Sequence, residues 1–342
     1  MDAGTPLQAA GTPKVATLSP LAQQEVTDIL QRLHGQFLGN SAGNLADYIP
    51  QLARVDPDQF GTAIAMTTGQ VLAVGDADAP FTIQSVSKAL TVAMLLDRVG
   101  YDATRLVVGT QPSGDPFNSI TLDPQTNRPF NPMVNAGAIA VTGRILELLG
   151  DSAFDCILET FSKAAGRELT IDREVFESER ETGHRNRAIG HLLRAAEVFT
   201  IPVDPVLDLY FMQCSIVVTA RDLAAMGATL ANLGLNPVTG QHVFGLEAVR
   251  DTVSVMFTCG MYNGAGDWAC RVGVPAKSGV GGGIMAVLNR QLGIGVFSPR
   301  LDSAGNSVRG QLVCRHLAHE MGLHAFDCTN MGSSFLTAYG IG

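Results

Sequence analysis

Ser85 and Lys88 are the residues whose types and spacing could do covalent chemistry. They lie in Phe81-Thr-Ile-Gln-Ser85-Val-Ser-Lys88-Ala-Leu90, at the start of an apolar helix. Residues three apart share a helix face, so the Lys88 amine can reach the Ser85 hydroxyl while Ser87 points elsewhere. A serine hydroxyl becomes a strong nucleophile when a neighbouring base takes its proton, and a lysine of lowered pKa can be that base. The bland alternative is a helix-capping serine beside a solvated lysine. Of the four lysines, Lys14, Lys88, Lys163 and Lys277, only Lys88 has a serine three places before it.

A second stretch, Gly273-Val-Pro-Ala-Lys277-Ser278-Gly279-Val280-Gly-Gly-Gly283, pairs another lysine with a serine among glycines. It is not a phosphate loop, because Arg271 and Ala276 occupy the two positions where a Walker A motif needs glycine. A strand edge of small residues lets a substrate lie against the backbone. A backbone N–H there, with that of Ser85 at a helix start, could cradle a developing oxyanion. Lys88 starts from an ordinary pKa of about 10.4. Burial and a second cation such as Lys277 would lower it. A tyrosine relay is the open alternative, with Tyr210 and Tyr262 as candidates among five tyrosines.

The elements that must position these groups follow from periodicity. Ser19-Pro20 caps a helix whose apolar face is Val26, Ile29, Leu30, Leu33 and Phe37. Phe60–Met66 and Gln70–Val74 read as a hairpin, and the helix after Ser85 is apolar nearly all round, hence buried. Helices are expected over Asn135–Leu149, Ser152–Ala165, Asn186–Ala196, Pro205–Ser215 and Ala220–Leu233, the last with a Thr219/Asp222 capping box. Gly109–Pro132 between them is a long irregular loop, of a length that is usually functional. Another helix covers Leu246–Phe257, strands follow at Ala269–Pro275, Gly283–Leu288 and Leu292–Phe297, and Ser307–Met321 closes as a helix. Strands at both ends and helices between predict an α+β fold: one antiparallel sheet built from both chain ends, flanked by helices, with an inserted all-helical block. The parts read as a tail (1–18), a sheet-containing part (19–96 and 231–330), a helical insertion (97–230) and a C-terminal tail (331–342).

Composition excludes other classes. The 342 residues are 46% hydrophobic and 16% charged, enough for a large core. A formal net charge of −9 argues against nucleic acid and against an anionic membrane surface. The six cysteines, Cys156, Cys214, Cys259, Cys270, Cys314 and Cys328, form no Cys-x-x-Cys pair and read as thiols of a reducing compartment. With no signal peptide apparent at the start, the cytoplasm is expected. His316, His319 and Glu320 lack His-Glu-x-x-His spacing, so no metal and no organic cofactor is implied. Arg173, Arg180, Arg185 and Arg187 alternate with acids and read as salt-bridged surface.

The remaining polar motifs are Asp47-Tyr48-Ile-Pro, Gly114-Asp-Pro-Phe-Asn-Ser119, Asn131-Pro-Met-Val-Asn135-Ala-Gly, Ser178-Glu179-x-x-Thr182-Gly-x-Arg-Asn186-Arg, Asp208-Leu-Tyr210-Phe-x-Gln213-Cys-Ser215 and Cys259-Gly-Met-Tyr262. With Ser85-x-x-Lys88 and Lys277-Ser-Gly, they closely resemble the serine-dependent glutaminases over about residues 25–325. The resemblance implies a β-lactamase/transpeptidase-like fold. It makes Ser85 the nucleophile and Lys88 its activating partner. Asn135, Glu179, Asn186, Tyr210, Tyr262 and Val280 (through its backbone) fall on glutamine-binding positions, and Tyr48 on a further tyrosine that reaches substrate. Lys277 and Ser278 are supporting residues. The resemblance also implies L-glutamine as substrate, a homo-oligomer of two or four copies, and a bare catalytic unit. Glutamine is a zwitterion, so its pocket needs one anion, which Glu179 can supply, and several donors, which Asn135, Asn186 and the tyrosines can supply. Without that resemblance Glu179 would read as one charge of a solvated run, Asn135 as a helix cap and the tyrosines as core. The rival readings are a β-lactamase or peptidase-like serine hydrolase, and an amino-acid sensor without turnover.

Overall fold

Strands from the two ends of the chain meet in one sheet. The computed structural model describes residues 17–47 and 49–327. In chain order the elements are α1 (Pro20–Leu38), β1 (Gly61–Met66), β2 (Val71–Gly75), β3 (Phe81–Thr82), α2 (Ser87–Arg105), α3 (Asn135–Leu149), α4 (Ala153–Ala165), β4 (Thr170–Ile171), α5 (Arg173–Thr182), α6 (His184–Ala195), α7 (Val203–Cys214), β5 (Ile216–Val218), α8 (Ala220–Ala231), α9 (Leu246–Cys259), α10 (Ala265–Arg271), β6 (Ala276–Ser278), β7 (Gly283–Leu288), β8 (Leu292–Phe297) and α11 (Val308–Glu320). The five-stranded sheet runs β2-β1-β8-β7-β6, and every neighbouring pair is antiparallel. Ala63 and Ala65 on one face pack against Ala224 and Ala228 of α8. Ile64 on the other face joins Leu30 and Leu33 of α1 and Val313 and Leu317 of α11. Covered on both faces, β1, β7 and β8 are buried throughout. Gly293 and Gly295 let α8 lie directly on β8; a Cβ on Gly295 would stand 2.0 Å from the Ala220 carbonyl.

A smaller antiparallel sheet, β3-β5-β4, places the nucleophile turn. The Ile83 N–H donates to the Ile216 carbonyl at 2.8 Å, so the chain entering Ser85 is pinned to the strand that leaves α7. α2 is buried continuously from Ser87 to Leu96 and is interrupted at Gly100, whose φ is 78°. Ser19 caps α1, and Thr219 and Asp222 form the capping box of α8, as expected. The Gly109–Pro132 stretch is irregular and folds back on itself, with Gly109 N–H donating to Pro129 O. Its Phe117 carbonyl accepts from Asn135 N–H at 2.8 Å, tying the loop to the start of α3.

One expected strand is a helix. Ala269–Pro275 was expected as a strand, but its first residues end α10 and pairing begins at Ala276. The apolar run breaks at Gly273, whose φ is 64°, and the Trp268 indole N–H reaches forward to the Val274 carbonyl at 2.7 Å. That bond folds Val272 and Val274 under α10 instead of along a sheet. α5 is also a helix, capped by Asp172, where the sequence shows a dense charge run. No helix among the described residues is long and apolar enough to cross a membrane.

Candidate active site

Ser85 sits in a single 3₁₀ turn, Gln84–Val86, between β3 and α2. The turn requires a φ of 47° at Gln84, left-handed backbone that a non-glycine residue adopts at a cost of about 1–3 kcal/mol. Such strain holds the next side chain off the regular path of strand and helix. Gly279 passes alongside; a Cβ there would lie 3.0 Å from the Ile83 carbonyl and 3.3 Å from the Ser85 nitrogen. The glycine is what lets the edge of β6 run against the serine turn.

Ser85 and Lys88 have different partners. The Tyr262 phenol lies near enough to the Ser85 hydroxyl for Ser85 to lower its pKa against the effect of burial. Lys88 is buried, and its Nζ donates to Asn135 Oδ1 at 2.6 Å. Asn135 Nδ2 in turn donates to Asn186 Oδ1 at 3.0 Å, so α2, α3 and α6 are joined through one polar chain. Burial of the Lys88 ammonium pulls its pKa down to about 8, and the nearby Glu179 works against that shift. Lys277 is lowered well below the ordinary lysine value, first by burial and then by the charge of Lys88.

Six of the residues singled out from the sequence line one cavity of about 290 Å³: Ser85, Asn135, Glu179, Asn186, Tyr210 and Val280. Tyr262 is buried behind Ser85 and does not face the cavity itself. Tyr48 lies outside the described residues; its neighbour Ile49 lines the cavity. Glu179 turns inward from α5 with Val175 and Ser178, while the neighbouring Glu177, Arg180 and Glu181 stay in contact with solvent. Burial pushes its carboxyl up to about 7, against the hydrogen bond from Gln84 and the charge of Lys88. Tyr210 is raised well above an ordinary tyrosine, first by burial, and keeps its proton as a donor.

Gln84, Phe117, Asn118, Arg185 and Cys214, which fall inside the quoted motifs but received no site role from the sequence, also line the cavity. Arg185 was expected on salt-bridged surface; instead its Nε donates to the Asn118 carbonyl at 2.5 Å at the cavity wall. The signals were present, since Gln84 is adjacent to Ser85 and Arg185 to Asn186. The Cys214 thiol is buried against Tyr210 and Ser87, and burial keeps it protonated.

Val280, just past β6, lines the cavity, while β6 itself holds Tyr262. Lys277 Nζ lies 4.0 Å from the Tyr262 ring centroid and donates to the carbonyls of Ser278 at 2.5 Å and Gly260 at 3.1 Å. The Tyr262 hydroxyl donates to the same Ser278 carbonyl at 2.9 Å. Ser278 Oγ is buried without a hydrogen-bond partner among the described residues. The Ser85 hydroxyl, the Tyr210 phenol and the Glu179 carboxylate thus share one cavity, and the buried Lys88 amine is tied to its lining through Asn135.

The glutaminase family model matches residues 43–326. Glutaminases 2 and 1 of Bradyrhizobium diazoefficiens are 56% and 49% identical over 86% and 92% of this chain. The aligned parts are 47% and 51% of those proteins, so the chain spans about half their length. The glutaminase of Trichormus variabilis is 49% identical over 303 residues, 89% of this chain and 91% of its own. The crystal structure of Mglu in its glutamate form superimposes with a TM-score of 0.84 at 43% identity, over 91% of this chain and 71% of that one. The α+β architecture with its antiparallel sheet is the β-lactamase-like fold of such structures. On the extent of these matches, the chain belongs to the glutaminase family.

Proposed function

We propose that the protein hydrolyses the side-chain amide of L-glutamine to L-glutamate and ammonia through an ester on Ser85. The observation that carries this reading is a buried carboxylate, Glu179, lining the same 290 Å³ cavity as Ser85. A free amino acid needs such an anion for its ammonium; a bulky acyl substrate would not. In this reading Asn135, Asn186 and Tyr210 bind the amino-acid end, and Tyr48 is a further substrate contact.

Lys88, lowered to about 8, takes the Ser85 proton at near-neutral pH. Tyr262, whose pKa burial raises, keeps its proton and gives it to the departing ammonia. The backbone N–H groups of Ser85 and Val280 receive the oxyanion, an arrangement in which one donor is typically worth roughly 10²–10³ in rate. The proposal extends to a homo-oligomer of two or four copies acting in the cytoplasm, with 97–230 inserted into a sheet-containing part. That insertion is helical apart from the short strands β4 and β5, and so is not the all-helical block expected. Scattered free thiols support the reducing compartment.

The test measures ammonia and glutamate from L-glutamine, with a chromogenic β-lactam in parallel and sedimentation for the oligomer. Stoichiometric ammonia and glutamate with the β-lactam intact is the expected result. Tight glutamine binding without ammonia would make the protein a sensor, and β-lactam turnover alone would make it another serine hydrolase.

A further inference from the structure

We propose that Lys277 is a positioning residue that fixes the Tyr262 phenol against Ser85 and stabilises the phenolate formed there. The inference rests on the reading above that Tyr262 passes a proton to departing ammonia.

Lys277 is a buried amine, 0% exposed, that the proposed reaction does not otherwise use. Its surroundings suit an ammonium better than a neutral amine. An ammonium has three N–H groups and a neutral amine two. Three acceptors surround Nζ: the Ser278 carbonyl, the Gly260 carbonyl and the face of the Tyr262 ring, 4.0 Å from its centroid. Burial and then the charge of Lys88 pull its pKa well below the ordinary lysine value, with Cys259 opposing them; the charge is called for when the phenolate forms beside it.

The geometry also explains how Tyr262 is held. Its φ is 57°, left-handed backbone that persists in a bulky residue only when the surroundings enforce it. The ring contacts Phe117 at 4.8 Å between centroids. Its hydroxyl and Lys277 Nζ meet on one atom, the Ser278 carbonyl. Removing Lys277 therefore releases both the ring face and the carbonyl that anchors the hydroxyl.

The proton ledger needs a cation at this place. In acylation the Ser85 Oγ–carbon bond forms and the amide carbon–nitrogen bond breaks. The Ser85 proton goes to Lys88, and the Tyr262 proton goes to the leaving nitrogen, which departs as ammonia. Tyr262 is then a buried phenolate beside the Lys277 charge. In deacylation the phenolate takes a proton from the attacking water, and Lys88 returns its proton to Ser85 as the ester bond breaks.

An activated ester tests this, because its leaving group needs no proton. L-Glutamine and the trifluoroethyl γ-ester of L-glutamate are compared on the full chain carrying Lys277→Met or Tyr262→Phe. Lys277→Met should lower kcat on glutamine roughly 10²-fold, within the usual range for a lost acid–base contribution, with KM little changed. On the ester it should lower kcat far less, and Tyr262→Phe should show the same amide-selective loss. If Tyr262→Phe is amide-selective but Lys277→Met lowers both substrates equally, Lys277 is structural and the inference falls alone. If Tyr262→Phe is itself not selective, the proton-donor reading falls and takes the inference with it. Should Lys277→Met not fold, Lys277→Gln keeps amide donors for the carbonyls without the charge, and the same comparison decides.

Discussion

Gln84 Nε2 donates a 2.7 Å hydrogen bond to Glu179 Oε1, joining residues 95 positions apart in the chain. Gln84 is adjacent to Ser85, and its amide also lies 3.3 Å from Thr82 Oγ1. The carboxylate proposed to hold the substrate ammonium and the proposed nucleophile are therefore set by one strained turn. Gln84→Ala removes a hydrogen bond to a charged group, worth about 1.5–3 kcal/mol, so KM for glutamine should rise roughly 10- to 100-fold. Steady-state kinetics reads it. A fall in kcat at constant KM would assign Gln84 to the serine turn instead of the carboxylate.

The pH profile follows from two opposed shifts. Glu179, raised to about 7, must be ionised to pair with the substrate ammonium; Lys88, lowered to about 8, must be neutral to take a proton. Both conditions are met on the alkaline side, so kcat/KM should climb steeply with pH through 7 and 8 and be small below 6, roughly one unit under the lower value. In Glu179→Gln the lower of the two limbs should vanish. A profile flat from pH 6 to 9 would remove both groups from the reaction.

The main sheet was legible because its strands obey simple rules. Gly283–Leu288 and Leu292–Phe297 are apolar runs of strand length around a three-residue turn, and they pair as β7 and β8. The β3-β5-β4 sheet was not legible, since two- and three-residue strands carry no periodicity. In the site, the positions of Ser85 and Lys88 could be read, but their partners could not. Spacing put them together, whereas Tyr262 beside Ser85 and Asn135, which accepts from Lys88, are brought from distant elements. Glu179 looked like one charge among several. Its helical phase with Val175 and Ser178, at i, i+3 and i+4, was the available sign that it faces inward.

Ser85→Ala should abolish turnover and spare binding. Removing a nucleophile costs far more than removing a donor, so kcat should fall by more than about 10³ while glutamine affinity, by calorimetry, changes by less than about tenfold. In the unmodified protein, rapid acid quench during turnover should trap a mass increment of one glutamyl residue on the peptide containing Ser85. Activity near the starting level in Ser85→Ala would reassign the nucleophile.

Glu179→Gln should separate binding from stability. Its amide can still accept from Gln84 but cannot pair with an ammonium, so glutamine should be lost much more than amides lacking the α-ammonium; equal losses would make Glu179 structural. Stability should move the other way. The folded-state pKa of Glu179 is raised from its ordinary 4.5 to about 7. Between these values the folded chain binds the proton more tightly than the unfolded chain. That stabilisation is fully present below about 4.5 and is lost as pH rises through about 7, where the wild type must bury a charge. The variant, which does not titrate there, should therefore melt higher than wild type above pH 7 and match it near pH 4.5. A shift of this size corresponds to at most about 3 kcal/mol. Melting curves at both pH values decide it: a variant less stable at pH 8 would mean that the carboxylate is held by more than Gln84 and Lys88.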